Sequence, residues 1–274
     1  MRRNGRHLSY CTNVHPGEGL DAVGGVLEGP VAAVKARIAP EQSFGLGLRL
    51  GAQAAQALTA SPDRLAELVE RLEAGGLYAF TLNGFPYGDF AAPGLKASVY
   101  APDWRTRERL DYTLQLARCL AKMPGPAHRT ISTVAGGFGP DTRSAEARKE
   151  IGENLLRCAA GLQQLFDETG VHIRLCLEPE PWTTLETTTD ALAFFDRHLS
   201  DPTAREHLGL CYDTCHQAVH FESAEASVRA LVDAGITIGK MQVSSALHLE
   251  APSDPAARAE LLAFAEQCYL HQVV

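Results

Sequence analysis

The sequence predicts an α/β protein of the (β/α)8 TIM-barrel type, with the eighth βα unit missing from this chain. Short apolar runs alternate with amphipathic helical stretches along 274 residues, and polar residues directly follow several of these runs. No internal repeat or interdomain linker interrupts the pattern. One barrel fills about 250 residues, so we expect a single domain over residues 1–274.

Seven runs have the composition of buried parallel strands. They are rich in Leu, Ile, Val, Thr and aromatic residues, and Gly, Pro, Asn or Asp residues bound most of them. In chain order these predicted strands cover 7–13, 44–50, 77–82, 130–135, 172–177, 208–212 and 236–243.

Helical stretches lie between most of these runs. The clearest begins at Ser61-Pro62, with serine as N-cap and proline in the first turn, and ends at Gly75-Gly76. Leucines and valines three and four residues apart give it one apolar face. The other predicted helices cover 103–122, 144–169, 189–199, 223–234 and 255–267.

After the last predicted helix only residues 269–274 remain. They suffice to start an eighth strand but not to complete a βα unit, so we expect this chain to be part of a longer protein. An unclosed barrel exposes two sheet edges. This predicts that a second copy of the chain or another partner covers the open edge.

Composition excludes several classes of partner. With 25 Lys+Arg against 33 Asp+Glu, the net charge is −8, which argues against binding to nucleic acid. No run approaches the roughly 18–20 apolar residues of a membrane span, so no membrane insertion is expected. Seven cysteines without a CxxC pair fit a reducing compartment. We therefore predict a cytoplasmic protein that acts on a small-molecule metabolite.

Acidic residues directly follow two of the predicted strands. Glu178 and Glu180 end the fifth, and Asp213 ends the sixth with His216 close behind. Strand ends carry the reactive groups of parallel barrels, so these acids are candidates for metal binding or proton transfer. The alternatives are a loop carboxylate for Glu178 and a helix N-cap for Asp213. We discount the cap because the next helix is predicted only near residue 223.

Other polar residues point to the same mouth. His15 and Asn83 either bind substrate hydroxyls or brace loops, and Trp182 either packs or forms an apolar wall for a sugar ring. Lys240 has the position of a lysine that forms a Schiff base with a carbonyl. The interpretation that we favour is an ion pair between Lys240 and a strand-end glutamate, Glu178 or Glu180.

Two motifs resemble a known family. Leu177-Glu178-Pro179 and Asp213-Thr214-Cys215-His216 are similar to the strand ends of xylose-isomerase-like TIM barrels, which include sugar isomerases, ketose epimerases and related endonucleases. The resemblance implies that Glu178 and Asp213 bind a metal and that His216 contacts substrate. It also implies a histidine ligand on strand seven and a glutamate ligand on strand eight.

Three further segments resemble a narrower branch, the EboE-type metabolite traffic proteins. They are LSYCTNVHPGE (8–18), TLNGFPY (81–87) and KMQVSSAL (240–247). Members of that branch are longer than this chain. The resemblance implies a link to the transport of a metabolite precursor.

The sequence departs from the wider family at two metal positions. Gln242 stands where the histidine is expected, and the strand-eight glutamate has no counterpart. Two carboxylates and an amide suit Mg²⁺ or Mn²⁺ better than Zn²⁺. The predicted cofactor is therefore a divalent metal (Mn, Mg or Zn) on Glu178, Asp213 and Gln242.

These observations support two hypotheses. The first is a sugar isomerase- or epimerase-like enzyme in which Glu180 or Glu186 moves a proton and His216 orients an oxygen. The second is a metabolite-binding or handover protein without turnover, which the amide at a metal position favours. The net charge and the absence of a histidine-rich zinc cluster disfavour an endonuclease.

Overall fold

The protein is built on a seven-stranded, all-parallel sheet with the strands in sequence order. The computed structural model describes residues 1–88, 96–265, Gln272 and Val274. The expected eighth strand at 269–274 lies outside the described residues apart from Gln272 and Val274. All seven predicted strands are present, each within a few residues of its expected bounds.

A short antiparallel hairpin precedes the sheet. Within the sheet, every strand pairs in parallel with the next strand along the chain. The strands are β1 (Arg2–Arg3), β2 (Arg6–His7), β3 (Ser9–Cys11), β4 (Phe44–Arg49), β5 (Leu77–Asn83), β6 (His128–Val134), β7 (His172–Glu178), β8 (Leu208–Asp213) and β9 (Ile238–Gln242).

Helices cover one face of the sheet, which is the arrangement of a barrel's outer layer. They are α1 (Leu20–Val26), a π-helical turn (Leu27–Val31), α2 (Ala32–Ile38), α3 (Ala52–Ala60), α4 (Pro62–Ala74), α5 (Arg107–Lys122), α6 (Ala145–Thr169), α7 (Thr188–His198), α8 (Pro202–His207), α9 (Thr214–Val219), α10 (Ala224–Asp233) and α11 (Pro255–Leu262). Short 3-10 turns lie at Thr12–Val14, Lys96–Tyr100 and Pro140–Arg143.

Helices were predicted correctly where the sequence has both an N-cap residue and an apolar face. Ser61 caps α4 as predicted, and Ser144, where the helix over 144–169 was expected to begin, is the N-cap of α6. The expected helix at 103–122 begins only after the N-cap Thr106. Helices α1, α2, α3, α8 and α9 were missed, because they are short and lack a full amphipathic stripe.

Alternation along the strands separates two environments. Outward-facing Leu46, Leu82, Ile131 and Leu175 are buried against the helices in the main apolar core. The opposite face carries small and polar residues. They include Gly47, Asn83, Ser132, Cys176, Cys211 and Lys240. The interior of the barrel is therefore polar.

The two outer strands of the sheet each keep an unpaired edge. Within the described ranges, β3 pairs only with β4 and β9 only with β8. At the β9 edge, the side chains of Met241 and Val243 are 55% and 88% exposed. None of the helices in the described part of the chain is long and apolar enough to span a membrane.

Three histidines lie together where β6, β7 and β8 begin. The ring of His172 stacks on that of His207 at 4.8 Å and meets that of His128 at 5.3 Å. Burial lowers the pKa of His172 below its ordinary value of 6.5, and the charges of His207, Arg174 and His128 add to the effect. The folded state therefore resists protonation of His172.

This cluster should make the protein less stable in acid. As pH falls below about 6.5, the unfolded chain takes up a proton on His172 before the folded protein does, so stability decreases. His172→Gln should flatten this loss when urea midpoints are compared between about pH 7.5 and about pH 5.5. His248→Gln, at an exposed loop position, is the control. An unchanged pH profile in His172→Gln would contradict the assignment.

Candidate active site

Glu178 ends β7 at the mouth of the barrel. Its Oε1 accepts a hydrogen bond from Gln242 Nε2 at 2.5 Å and lies 3.8 Å from His216 Nδ1. Burial raises the pKa of Glu178 to about 7, and His216 and Lys240 oppose the rise while Asp213 adds to it. The strand end thus holds a desolvated acid within reach of two neighbouring elements.

Asp213 ends β8 and also caps the helix that follows it. Its Oδ1 accepts bonds from the Cys215 and His216 backbone N–H groups at 2.9 and 3.4 Å and from the Ser244 hydroxyl. The expectation that capping explains Asp213 poorly was wrong, because α9 begins at the very next residue. The cap therefore uses Oδ1, and the Cys215 thiol is a further hydrogen-bond partner of the same carboxylate.

The first turn of α9 brings two more donor groups to Asp213. Ligand atoms of Asp213, Cys215 and His216 all lie within 4.8 Å of one another. His216 Nδ1 donates to the Pro179 carbonyl at 3.2 Å, which leaves Nε2 with the lone pair. Burial raises the pKa of Cys215 to about 11, so its thiol is protonated near neutral pH.

Glu180 lies in an aromatic corner of the same mouth. Tyr100 donates its hydroxyl hydrogen to Glu180 Oε1 at 2.6 Å, and Gln272 donates to the Tyr100 oxygen at 3.3 Å. The Tyr100 ring stacks on Phe138 at 4.3 Å. Burial raises the pKa of Glu180 to about 7, although the hydrogen bonds favour its charged form.

Lys240 reaches from β9 across the barrel interior. Its Nζ donates to Asn83 Oδ1 at 2.5 Å and to Ser132 Oγ at 3.0 Å. The favoured reading, an ion pair between Lys240 and a strand-end glutamate, was wrong, because none of the ion pairs among the described residues includes Lys240. Asn83 is thereby placed in the interior, where its amide N–H also donates to the Gly47 carbonyl at 3.3 Å.

The remaining predicted site residues lie at the rim. Glu186 pairs with Arg143 and accepts the Trp182 backbone N–H at 2.5 Å, and in the described part of the chain it has no contact with Glu178. Trp182 is 53% exposed. His15 Nε2 is hydrogen bonded to the Tyr10 hydroxyl at 2.9 Å, an arrangement that braces the loop after β3.

Tyr100 and Gln272 also belong to the site, and no sequence pattern indicated either residue. Tyr100 is 80 residues from Glu180 in the chain, and no local pattern links them. Ser244 follows Lys240 and Gln242 at intervals of two residues, a spacing that places the three side chains on one face of the predicted strand.

The donor chemistry at the mouth fits a divalent cation. Glu178 accepts its hydrogen bond through Oε1, so Oε2 stays free of hydrogen bonds among the residues described, and Asp213 accepts the backbone and Ser244 hydrogen bonds through Oδ1. The His216 imidazole donates its other N–H to a carbonyl, as metal-bound histidines commonly do. Gln242, however, turns its amide N–H toward Glu178, which presents a donor rather than a ligand atom.

Two cavities lie away from this mouth. One, of about 470 Å³, is lined by residues of α1, α3 and α4, and the other, of about 480 Å³, is bordered by α2 and the end of α4. Neither is lined by a residue at a strand's carboxyl end. We assign the candidate site from the convergence of acids rather than from cavity size, because chemistry at this fold occurs at those strand ends.

Comparison with known proteins agrees with this architecture. The family model for xylose isomerase-like TIM barrels matches residues 45–264. No curated protein sequence matches the chain. The narrower resemblance to EboE-type proteins stays a prediction.

Several solved structures are similar to this chain. A xylose isomerase domain protein from Planctomyces limnophilus is 12% identical, with 77% of this chain and 67% of that chain covered and a TM-score of 0.51. The 3-keto-D-glucoside 4-epimerase YcjR from E. coli is 16% identical over 85% and 93%, with a TM-score of 0.43. A xylose isomerase-like TIM barrel protein from Mycobacterium smegmatis in complex with magnesium is 16% identical over 76% and 65%, with a TM-score of 0.48.

These identities show likeness of fold alone, whereas the family match extends over most of the chain and includes both acidic strand ends. The chain belongs to the xylose isomerase-like TIM barrel family.

Proposed function

We propose that the protein is an isomerase- or epimerase-like enzyme for a small hydroxylated carbonyl metabolite. The observation that carries the proposal is the convergence of Glu178, Asp213 and His216, from β7, β8 and α9 respectively, at one barrel mouth beside Glu180. Carboxylates and an imidazole at the strand ends are suited to holding a metabolite's oxygens while a proton moves.

Glu178, Asp213 and His216 would hold a divalent metal, with Mn²⁺ or Mg²⁺ favoured by the two carboxylates. When bound, that ion would polarise a carbonyl or hydroxyl oxygen. Glu180 would remove the proton from the carbon next to the carbonyl and return it from the same side to the neighbouring carbon, while the hydroxyl proton of the first carbon passes to the carbonyl oxygen. Tyr100 fixes the orientation of the Glu180 carboxylate through its 2.6 Å hydrogen bond.

The rim residues would shape the substrate pocket. Trp182 offers an exposed indole against which a sugar ring can pack, and His15 offers a ring edge at the end of β3. The loop anchored by Glu186 and Arg143 positions Trp182. We assign Glu186 to this positioning role and Glu180 to proton transfer.

The second candidate is a metabolite-binding or handover protein. The Gln242 amide N–H on Glu178 favours it, because that contact satisfies a carboxylate oxygen without a metal. This proposal includes a role in metabolite precursor traffic and a cytoplasmic location. It also includes a second copy of the chain or another chain that covers the β9 edge. The exposed Met241 and Val243 beside that edge support the last of these.

Solvent exchange tests the enzyme proposal. The protein is incubated in D₂O with Mn²⁺ and a panel of aldoses, ketoses and their acids, and deuterium beside the carbonyl is followed by NMR. We expect incorporation by the wild type and a loss of about 100-fold or more in Glu180→Gln. Binding of a panel member without any exchange would overturn the enzyme proposal in favour of handover.

A further inference from the structure

The interior of the barrel contains an ammonium group whose partners are neutral. Lys240 Nζ donates to the Asn83 amide oxygen and the Ser132 hydroxyl, which are 1% and 2% exposed as residues. These acceptors use two of its three N–H groups. No carboxylate within the described ranges pairs with it. Lys240 itself is only partly buried, so its ammonium keeps the capacity to bind an anion.

A second cation lies below Lys240 in the same interior. Arg174 is on β7, four residues before Glu178, and its Nε is buried without a hydrogen-bond partner among the described residues. The Arg174 stem lies over Gly209 and Gly239, where an added Cβ would come within 2.9 and 3.2 Å of its Cδ. The glycines on β8 and β9 thus leave room for this side chain.

The residue spacing along the strands sets the distance between the acids at the mouth and the cation in the interior. On β9, Lys240 is two residues below Gln242, and on β7, Cys176 is two residues below Glu178. Two residues of a strand span about 6.6 Å. The acids at the mouth and the Lys240 ammonium beneath them are therefore separated by the length of a few carbon–carbon bonds. Cys176 and Cys211 are small neighbours of Lys240.

We infer that the metabolite carries a carboxylate and that Lys240, flanked by Asn83 and Ser132, binds it beneath the strand-end acids. The inference rests on the proposed function for the position of the reacting carbons at the mouth. A lone ammonium beside an amide and a hydroxyl suits a monoanion. Phosphate sites instead use helix N-termini or successive backbone N–H groups. The substrate class is thus a hydroxy or keto acid, such as a sugar acid.

Matched acid and neutral probes test this assignment. Binding of D-glucuronate and D-glucose, D-galacturonate and D-galactose, and lactate and propane-1,2-diol is measured by calorimetry with a chelator present. At least one acid should bind about tenfold more tightly than its neutral partner, the expected effect of one charge-assisted hydrogen bond. Lys240→Met should abolish that preference, and Lys240→Arg should retain part of it.

Controls separate a binding role from a structural one. Lys149→Met removes an exposed cation on α6 and should leave the preference intact, and circular dichroism checks that Lys240→Met is folded. An equal preference in Lys240→Met, no preference in any pair, or tighter binding of glucose 6-phosphate than of glucuronate would overturn the inference. The binding assay needs neither metal nor turnover. If no deuterium exchange is found and the enzyme proposal fails, the preference for an acid over its neutral partner can therefore still be measured.

Discussion

Replacing Glu178 with glutamine should remove stoichiometric Mn²⁺ binding by the full chain. The substitution keeps the shape of the side chain but takes away one of the two carboxylates at the mouth, and Asp213→Asn should act in the same way. Altering even a group behind a metal ligand costs 10–100-fold in affinity, so we expect a loss of at least about 100-fold. Titration calorimetry and metal analysis after dialysis provide the measurement.

Two further variants sharpen this test. Glu153→Gln removes a carboxylate on the outer helix α6 and should leave Mn²⁺ affinity unchanged. Gln242→His should strengthen binding, because it replaces the amide donor facing Glu178 with an imidazole that can act as a ligand. If wild type and Glu178→Gln bind Mn²⁺ equally, the metal assignment is lost and the handover hypothesis gains.

Replacing Trp104 with alanine should destabilise the fold by about 3–5 kcal/mol, the usual cost of deleting a large buried aromatic side chain. Trp104 is 0% exposed, and its Nε1 donates to Thr133 Oγ1 at 3.0 Å. Its backbone also binds the Gly136 carbonyl and the Asn154 amide, so this residue joins the end of β6 to α6.

Chemical denaturation of matched variants measures the effect. Trp104→Phe keeps most of the side-chain volume. It should lower the free energy of unfolding by the packing that is lost and by about 1 kcal/mol more, because Thr133 Oγ1 loses its hydrogen-bond donor. Trp182→Ala, at the other tryptophan, removes a 53% exposed side chain and should change stability by about 0.5 kcal/mol or less. Equal losses for Trp104→Ala and Trp182→Ala would contradict the assigned roles.

The fold was readable from the sequence because parallel strands and capped helices leave local signals. Buried strands such as β7 and β8 appear as short apolar runs, and Ser61 and Ser144 stand directly before amphipathic stretches. The rule that chemistry lies at strand ends then brought Glu178 and Asp213 together. Each of these inferences needs only neighbouring residues in the chain.

What the sequence could not supply depends on contacts across the barrel. Helix α9 has six residues and no apolar stripe, so the capping role of Asp213 was not visible. The partners of Lys240 are 157 and 108 residues away. Tyr100 reaches Glu180 only because an aromatic corner forms at the mouth. Side-chain partners of this kind follow from the assembled tertiary structure rather than from local periodicity.

The edge strand β9 supplies both Gln242 to the mouth and Lys240 to the interior. In the part of the chain described, one ladder of backbone hydrogen bonds, to β8, secures it. A transient local opening of β9 would therefore withdraw both donors in a single event. Amide hydrogen exchange along this strand would report directly on how often the binding pocket loses its shape.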